Sequence, residues 1–142
     1  MGEINYVVDT SVIVKWFVDE EGREEALQLL NRFFQRDIDL VIPILAFYEL
    51  GNVLKLRTDV SLGSKTSLLR EFFELGVAVA PFGEEIATRT LERAIEYNLS
   101  YYDATFLVAA EEVGATLITA DKRFYNKVQR CPQIRFLGEL EF

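Results

Sequence analysis

Apolar residues occur along this chain in two patterns, and their alternation predicts strands that are separated by helices. Residues 115–119, A-T-L-I-T, are a β-branched, apolar run with the length of a buried strand, and I-N-Y-V-V at 4–8 is also predicted to be a strand. Residues 20–35 and 84–97 instead repeat their apolar positions at helical spacing. The full prediction is strands at 4–8, 39–42, 77–80, 115–119 and 134–137, and helices at 10–18, 20–35, 44–57, 63–75, 84–97, 100–113 and 122–129. This alternation favours a single domain over 1–142, with the α/β class and a three-layer α/β/α architecture around a parallel sheet.

Residues 100–124 contain an acid that departs from the helical pattern. Gly114 separates a helix from the apolar strand A-T-L-I-T. At about 100° per residue, Asp103 shares its helix face with Phe106, so a carboxylate points the same way as apolar side chains. Asp121 follows the strand directly, at the end where open α/β sheets bind ligands. Two carboxylates are therefore predicted to face one crevice.

The helix predicted over 44–57 contains a second acid on an apolar face. This helix is apolar on nearly every side, and its interior polar residues are Glu49 and Asn52. The positions four residues before and after Glu49 hold Leu45 and Val53, so no ion pair along the helix accounts for this acid. An inward carboxylate is costly unless something binds it. The sequence therefore predicts a ligand for Glu49.

Four carboxylates stand out together, at Asp9, Glu49, Asp103 and Asp121. Asp9, like Asp121, comes at the end of a predicted strand, so the two meet if those strands are parallel neighbours. Acids brought this close repel one another and raise one another's pKa. A divalent cation would relieve the repulsion, activate water and hold a phosphate oxygen.

Each aspartate also has a purely structural interpretation. Asp9 could cap the helix that follows it, Asp121 could cap the helix at 122–128, and Asp103 could form a capping box with Ser100. Singly, these positions are as typical of caps as of ligands. Glu49 has no such local explanation.

Polar residues beside the acids are candidates for orienting them. They are Thr10, Ser11, Asn52 and Thr119. Thr10 or Ser11 is also expected to cap the helix at 10–18. Any of these residues could equally be an ordinary capping or strand residue.

Residue types that are missing or rare restrict the chemistry. The chain has no histidine and one cysteine, Cys131, which excludes Ser-His-Asp catalysis, His-ligated zinc and cysteine-rich metal sites. The glycine-rich phosphate loops are also missing. Carboxylates remain, and they favour Mg²⁺ or Mn²⁺. The formal charge of −8 argues mildly against loose attraction to nucleic acid, although a bound ion can neutralise an acidic cluster locally.

Two further groups admit plain interpretations. A basic group consists of Lys122, Arg123, Lys127 and Arg130, and it is either a solvated face or a contact to phosphate. An aromatic group belongs to the core or to a subunit interface, and consists of Trp16, Phe17, Phe33, Phe34, Phe72 and Phe73.

The remaining composition bears on location. No apolar run reaches about 18 residues without a charge, so no membrane span is expected. The start M-G-E-I-N-Y-V-V-D lacks the basic region of a signal peptide. With a single cysteine no internal disulfide can form, and a cytoplasmic protein is the simpler expectation.

Four blocks in this order resemble a PIN-domain nuclease, and more narrowly a VapC-type toxin. They are V-V-D-T-S-V-I-V-K-W-F at 7–17, P-x-x-x-x-x-E-L-x-N at 43–52, Y-D-A-T-F-L-V-A-A at 102–110 and T-A-D-K-R-F at 119–124. The resemblance extends over nearly the whole chain. It implies an acidic Mg²⁺ or Mn²⁺ site that cleaves single-stranded or structured RNA, a homodimer, and inhibition by a separately encoded antitoxin.

The resemblance also implies roles for individual residues. The family's acids fall on Asp9, Glu49, Asp103 and Asp121, and its supporting polar residues fall on Ser11, Asn52 and Thr119. The acids carry over without a departure from the family pattern.

The alternative functions come from other classes. A phospho-acceptor signalling domain also gathers aspartates around Mg²⁺, but it needs a lysine after a late strand, where T-A-D puts an acid. The intact acids argue against a PIN-fold interaction module that lacks catalytic activity. Cleavage of DNA stays open, because the acids act on phosphate rather than on sugar.

Overall fold

A computed structural model describes residues 4–141, in which five parallel strands form one sheet. The strands are β1 (Ile4–Val8), β2 (Ile38–Ile42), β3 (Ala78–Val79), β4 (Thr116–Thr119) and β5 (Ile134–Phe136). The helices are α1 (Thr10–Phe17), α2 (Arg23–Phe34), α3 (Leu45–Leu56), α4 (Leu62–Glu74), α5 (Glu84–Tyr97), α6 (Tyr101–Val113) and α7 (Lys122–Val128), and a short 3-10 helix covers Leu137–Glu139. The order across the sheet is β3-β2-β1-β4-β5.

The first strand occupies the centre of the sheet. Val7 of β1 pairs with Val41 of β2, and Val8 pairs with Ile118 of β4. Val7, Val8 and Ile118 have no exposed surface. Burial of both sheet faces explains why Val7–Val8 and Leu117–Ile118 are adjacent apolar residues in the sequence.

Helices cover the sheet in the three-layer α/β/α arrangement that the sequence predicts. Helix α6 packs on β1 and β4 and carries α5 on its outer side, while α2 packs on β2. Helix α1 contacts α2, α3 and β4. Because β1 and β4 are neighbours, the loops after them open at the same edge of the sheet.

Several predicted boundaries shift for local reasons. Helix α2 starts at Arg23 instead of residue 20, because Gly22 has a left-handed backbone with φ of 87°. Strand β3 has two residues rather than four. The predicted cap of α1, Thr10 or Ser11, is wrong: Asp9 is the N-cap, and its side chain accepts a hydrogen bond from the Ser11 amide.

The predicted aromatic group divides between core and surface. Phe72 is 1% exposed and its ring contacts the rings of Trp16, Phe17 and Phe47. Phe34 and Phe73 are 57% and 59% exposed. Cys131 is buried, and its thiol donates a hydrogen bond to the hydroxyl of Tyr97. Over residues 4–141 the fold contains no helix with the length and hydropathy of a membrane span.

Candidate active site

The four predicted acids line a single cavity of about 470 Å³ beside the ends of β1 and β4. They come from four separate parts of the chain. Asp9 follows β1, Glu49 lies in α3, Asp103 lies in the first turn of α6 and Asp121 follows β4. The other lining residues are Thr10, Ser11, Val14, Leu45, Tyr48, Asn52, Val53, Tyr102 and Phe106. We refer to this space as the acid cavity.

Asp9 is the most deeply buried of the four acids, with 6% of its surface exposed. Its Oδ1 accepts hydrogen bonds from the Ser11 amide and the Ser11 hydroxyl. Its Oδ2 accepts one from the Thr119 hydroxyl at 2.6 Å. Burial raises the pKa of Asp9 from 3.8 to about 7, although these hydrogen bonds oppose the shift, and the charge of Asp103 raises it further.

Thr119 connects Asp9 with Asp121. The Thr119 hydroxyl donates to Asp9 and accepts a hydrogen bond from the Asp121 amide at 3.0 Å. Ser11 adds a second connection between the two loops, because its hydroxyl accepts from the Ala120 amide at 2.9 Å. The strand ends that carry the two aspartates are therefore joined by side-chain hydroxyls as well as by the sheet.

Asp121 is exposed and caps α7. Its Oδ1 accepts hydrogen bonds from the amides of Arg123 and Phe124. Within the described part of the chain, no hydrogen bond engages its Oδ2. The capping interpretation of Asp121 is thus confirmed, and the residue also lines the cavity, where its role as a ligand stays a prediction.

Glu49 has a partner that the sequence pattern did not indicate. The hydroxyl of Thr10, which lies 39 positions earlier, donates to Glu49 Oε1 at 2.7 Å. Partial burial raises the pKa of Glu49; this hydrogen bond opposes the rise, and the charge of Asp103 adds to it. The sequence excluded only an ion pair along the helix, and this hydrogen bond instead crosses between α1 and α3.

Asp103 is half-buried at the start of α6. Ser100 caps this helix and accepts a hydrogen bond from the Asp103 amide at 3.0 Å. Burial raises the pKa of Asp103, the charge of Asp121 raises it further, and Ser100 and Lys127 oppose the shift. The acids therefore influence one another electrostatically across the cavity.

The predicted supporting residues differ in how closely they touch the acids. Ser11 and Thr119 bind Asp9 directly. Asn52 lines the cavity but is exposed, so it is not the interior residue of α3 that the pattern predicted. Tyr48 and Tyr102 also line the cavity and were not singled out in the sequence. The sequence did hold a signal for these two residues, because Tyr48 directly precedes Glu49 and Tyr102 directly precedes Asp103.

The basic group makes contacts with the protein itself. The Lys127 ammonium donates to the Asn98 carbonyl at 2.9 Å. Lys122 lies 5.9 Å from the centre of the Phe136 ring, and Arg130 lies 5.0 Å from that of Tyr97. Three of the four cations thus make local contacts, but all four residues are exposed, so the solvated-face and phosphate-contact interpretations both stay predictions.

The donor set fits a hard divalent cation. The lining offers carboxylate and hydroxyl oxygens, and it includes no lysine or arginine among the residues that the structure describes. Across residues 4–141, no three acidic, histidine or cysteine side chains already stand in a group that could hold an ion. The types of side chain in the cavity thus fit a divalent cation. To bind one ion together, the acidic side chains would have to turn toward one another.

Comparison with known proteins decides the family. A model of the PIN domain matches residues 6–129. This chain belongs to the PIN-domain family. The resemblance noted in its sequence is thereby confirmed, and so is the fold that the family has.

Individual relatives are similar over nearly the whole chain. Ribonuclease VapC3 of Pyrobaculum aerophilum is 29% identical over 129 residues, which cover 85% of this chain and 92% of that protein. A chain of a toxin–antitoxin complex from Klebsiella pneumoniae has a TM-score of 0.71 at 20% identity, covering 95% of this chain and 99% of its own. VapC20 of Mycobacterium tuberculosis, a toxin that cleaves the sarcin–ricin loop, has a TM-score of 0.65 at 15% identity, covering 85% and 93%. At 20% and 15% identity, the structural likeness shows that the fold is shared.

Proposed function

We propose that this PIN-domain protein is a metal-dependent endoribonuclease of the VapC type, which hydrolyses RNA phosphodiester bonds in the acid cavity. The observation that carries the proposal is the meeting of Asp9, Glu49, Asp103 and Asp121 in one cavity whose described lining contains no basic residue. The similarity to ribonuclease VapC3 supports RNA as the substrate.

Asp9, Glu49, Asp103 and Asp121 would hold Mg²⁺ or Mn²⁺. When bound, the ion would offset the charge of the acids, activate water and stabilise negative charge on the phosphate oxygens. The protein's own contribution is to hold the acids in place. Ser11 and Thr119 fix both oxygens of Asp9, and Thr10 fixes one oxygen of Glu49.

The same acids supply a base for hydrolysis. The water oxygen bonds to phosphorus while its proton passes to a carboxylate, the bond from phosphorus to the leaving oxygen breaks, and the leaving oxygen takes up a proton from solvent. Glu49 and Asp103 are the candidates for the acceptor, since both line the cavity and burial raises the pKa of each in the metal-free protein. Val14 and Phe106 supply apolar walls beside these acids.

The proposal includes a homodimer and a separately encoded antitoxin. The similarity to a chain of a toxin–antitoxin complex supports the antitoxin. Within the aromatic group that the sequence offered for the core or an interface, Phe72 is buried in the core, whereas Phe34 and Phe73 are exposed and available for a dimer contact.

The phospho-acceptor alternative has less support. Signalling domains of that kind have the flavodoxin-like strand order 2-1-3-4-5. The order in this chain is β3-β2-β1-β4-β5, which puts the first strand at the centre. Such domains also need a lysine after a late strand, whereas in this chain the acid Asp121 follows β4.

The test is an RNA cleavage assay with Mg²⁺, Mn²⁺ or EDTA, beside a DNA strand of the same sequence. Wild type should cut RNA only with a divalent ion, and Asp9→Asn should not cut. Asp37→Asn is the matched control, since Asp37 is an exposed aspartate outside the cavity. Full cleavage after exhaustive chelation, or by Asp9→Asn, would refute the mechanism.

A further inference from the structure

Asp103 is the cavity acid that the connecting hydroxyls do not reach. Those hydroxyls bind Asp9 and Glu49, and they join the loop of Asp121 to Asp9. Among residues 4–141, no hydrogen bond joins the Asp103 side chain to one of these hydroxyls or to another acid of the cavity. The position of Asp103 relative to Asp121 therefore depends on other contacts.

The turn before α6 is held by side chains from the end of α7 and from the residues just after it. The Lys127 ammonium donates to the Asn98 carbonyl at 2.9 Å. The Cys131 thiol donates to the Tyr97 hydroxyl at 3.0 Å, and the Arg130 guanidinium lies 5.0 Å from the centre of the Tyr97 ring, within the range of a cation–π contact. We refer to these five residues as the clasp.

The clasp connects the elements that carry Asp103 and Asp121. Asp121 caps α7, and Lys127 lies in the last turn of that same helix. Asn98 ends α5 with a left-handed backbone, φ of 54°, and Ser100 then caps the helix that carries Asp103. Because each side of the clasp lies within one helix or one turn of an acid, its contacts limit how far the two acids can move apart.

This restraint acts against repulsion between the two acids. Burial raises the pKa of Asp103 and the charge of Asp121 raises it further, whereas the charge of Lys127 lowers it. The sequence allowed the basic group to be a solvated face or a phosphate contact. Two of its members, Lys127 and Arg130, instead contact the protein beside the acid cavity.

We propose that the clasp fixes the spacing of Asp103 and Asp121 in the acid cavity, and that Lys127 is its positioning residue. The inference rests on the proposed metal-dependent function, and it assigns part of the basic group to holding the acids rather than to contacting substrate phosphate. Residues that orient metal ligands from behind typically change metal affinity by about 10- to 100-fold when they are lost. The clasp acts on the acids through the backbone, so we expect an effect at the lower end of that range.

The first measurement is calorimetric binding of Mn²⁺ to the protein without RNA. Lys127→Met/Arg130→Met removes the two cations of the clasp and should weaken Mn²⁺ binding by about 10-fold. Lys127→Arg keeps a donor and a charge, and it should bind Mn²⁺ as wild type does. Lys65→Met/Arg70→Met is the matched control, because it also removes two positive charges and because Lys65 also donates to a backbone carbonyl, that of Lys55 at 3.1 Å.

The sign of the change separates positioning from a simple effect of charge. Removing positive charge near an ion site by itself strengthens the binding of a cation. Equal or tighter Mn²⁺ binding by Lys127→Met/Arg130→Met would therefore overturn the proposal. Binding of a labelled RNA in EDTA should match that of the control variant. Weaker RNA binding than the control, with a shallower dependence on salt and unchanged Mn²⁺ affinity, would assign these cations to phosphate instead.

A second measurement needs neither metal nor cleavage. Hydrogen exchange of the metal-free protein reports the opening of residues 98–103, where the Asp103 amide donates to Ser100. Lys127→Met/Arg130→Met should exchange there about 5-fold faster, which is the factor for one lost hydrogen bond, and the control variant should not. Unchanged exchange would overturn the clasp. If wild type binds no Mn²⁺ or cuts no RNA, the proposed function fails, and exchange decides the clasp by itself.

Discussion

Asp9 and Asp121 occupy equivalent positions and have very different surroundings. Each follows a parallel strand, each caps the next helix, and both line the acid cavity. Asp9 is 6% exposed and has hydrogen bonds on both oxygens, and burial raises its pKa to about 7. Asp121 is exposed, and only its Oδ1 is engaged, by two backbone amides. The same local arrangement thus produces one buried acid with hydrogen bonds on both oxygens and one exposed acid with hydrogen bonds on a single oxygen.

The largest expected effect tests whether both acids serve one reaction. Asp9→Asn and Asp121→Asn should each lower RNA cleavage by about 1,000-fold or more, because an ion in the site contributes several kcal/mol to the transition state. Cleavage at saturating Mn²⁺ measures the loss, and circular dichroism controls for folding. If Asp121→Asn cleaves normally while Asp9→Asn does not, Asp121 is a cap only.

The burial of Asp9 predicts how stability depends on pH in the absence of metal. Between pH 3.8 and about 7 the folded state binds a proton at Asp9 that the unfolded chain releases, so this group stabilises the fold as the pH falls. The gain has an upper value of about 4 kcal/mol, since one pKa unit corresponds to about 1.36 kcal/mol. Urea unfolding of wild type and Asp9→Asn from pH 8 to pH 5.5 measures the difference. Parallel curves for the two proteins would contradict a raised pKa at Asp9.

The threonine that joins the two acids should matter for both. Thr119→Val removes the donor to Asp9 and the acceptor of the Asp121 amide, so we expect a loss of about 1–3 kcal/mol in unfolding free energy. Loss of positioning should lower activity by about 10- to 100-fold. Without the hydrogen bond the pKa of Asp9 should rise further, which NMR titration can detect.

Thr90→Val provides the matched control for that variant. Thr90 is also fully buried, and its hydroxyl donates to the Ile86 carbonyl away from the cavity. It should lose stability without a selective loss of cleavage. Equal effects of the two variants on cleavage would mean that Thr119 acts through general stability alone.

The smallest effect concerns stability when single charges are removed. Asp103→Asn and Asp121→Asn should melt at the same temperature as wild type without metal, or higher, because removing one charge relieves repulsion between the acids. Asn caps nearly as well as Asp, but Asp121→Ala should lower stability by about 1 kcal/mol, since two amides lose their acceptor. Melting temperatures with and without Mg²⁺ check both expectations. A marked loss of stability in the Asn variants would argue against repulsion.

The elements of the fold were predictable because their signals are local. The helix at 84–97 matches α5, and the α7 prediction begins at Lys122 as observed. Buried strands can be recognised from their own apolar residues, without knowledge of the neighbouring strands. Helix ends can be recognised in the same way, as at Gly114, whose φ is 67°. The positions of the acids after strands and on apolar helix faces were predictable for the same reason.

The differences among those acids came only from the tertiary structure. Asp9 and Asp121 look alike in the sequence, since both follow a strand and precede a helix. Burial separates them, and burial depends on the sheet order, which sets β1 at the centre. The contacts that orient the acids join residues 39 positions apart, at Thr10 and Glu49, and 110 positions apart, at Asp9 and Thr119. Local periodicity contains no information about such pairs, because desolvation and side-chain hydrogen bonding arise when distant segments pack together.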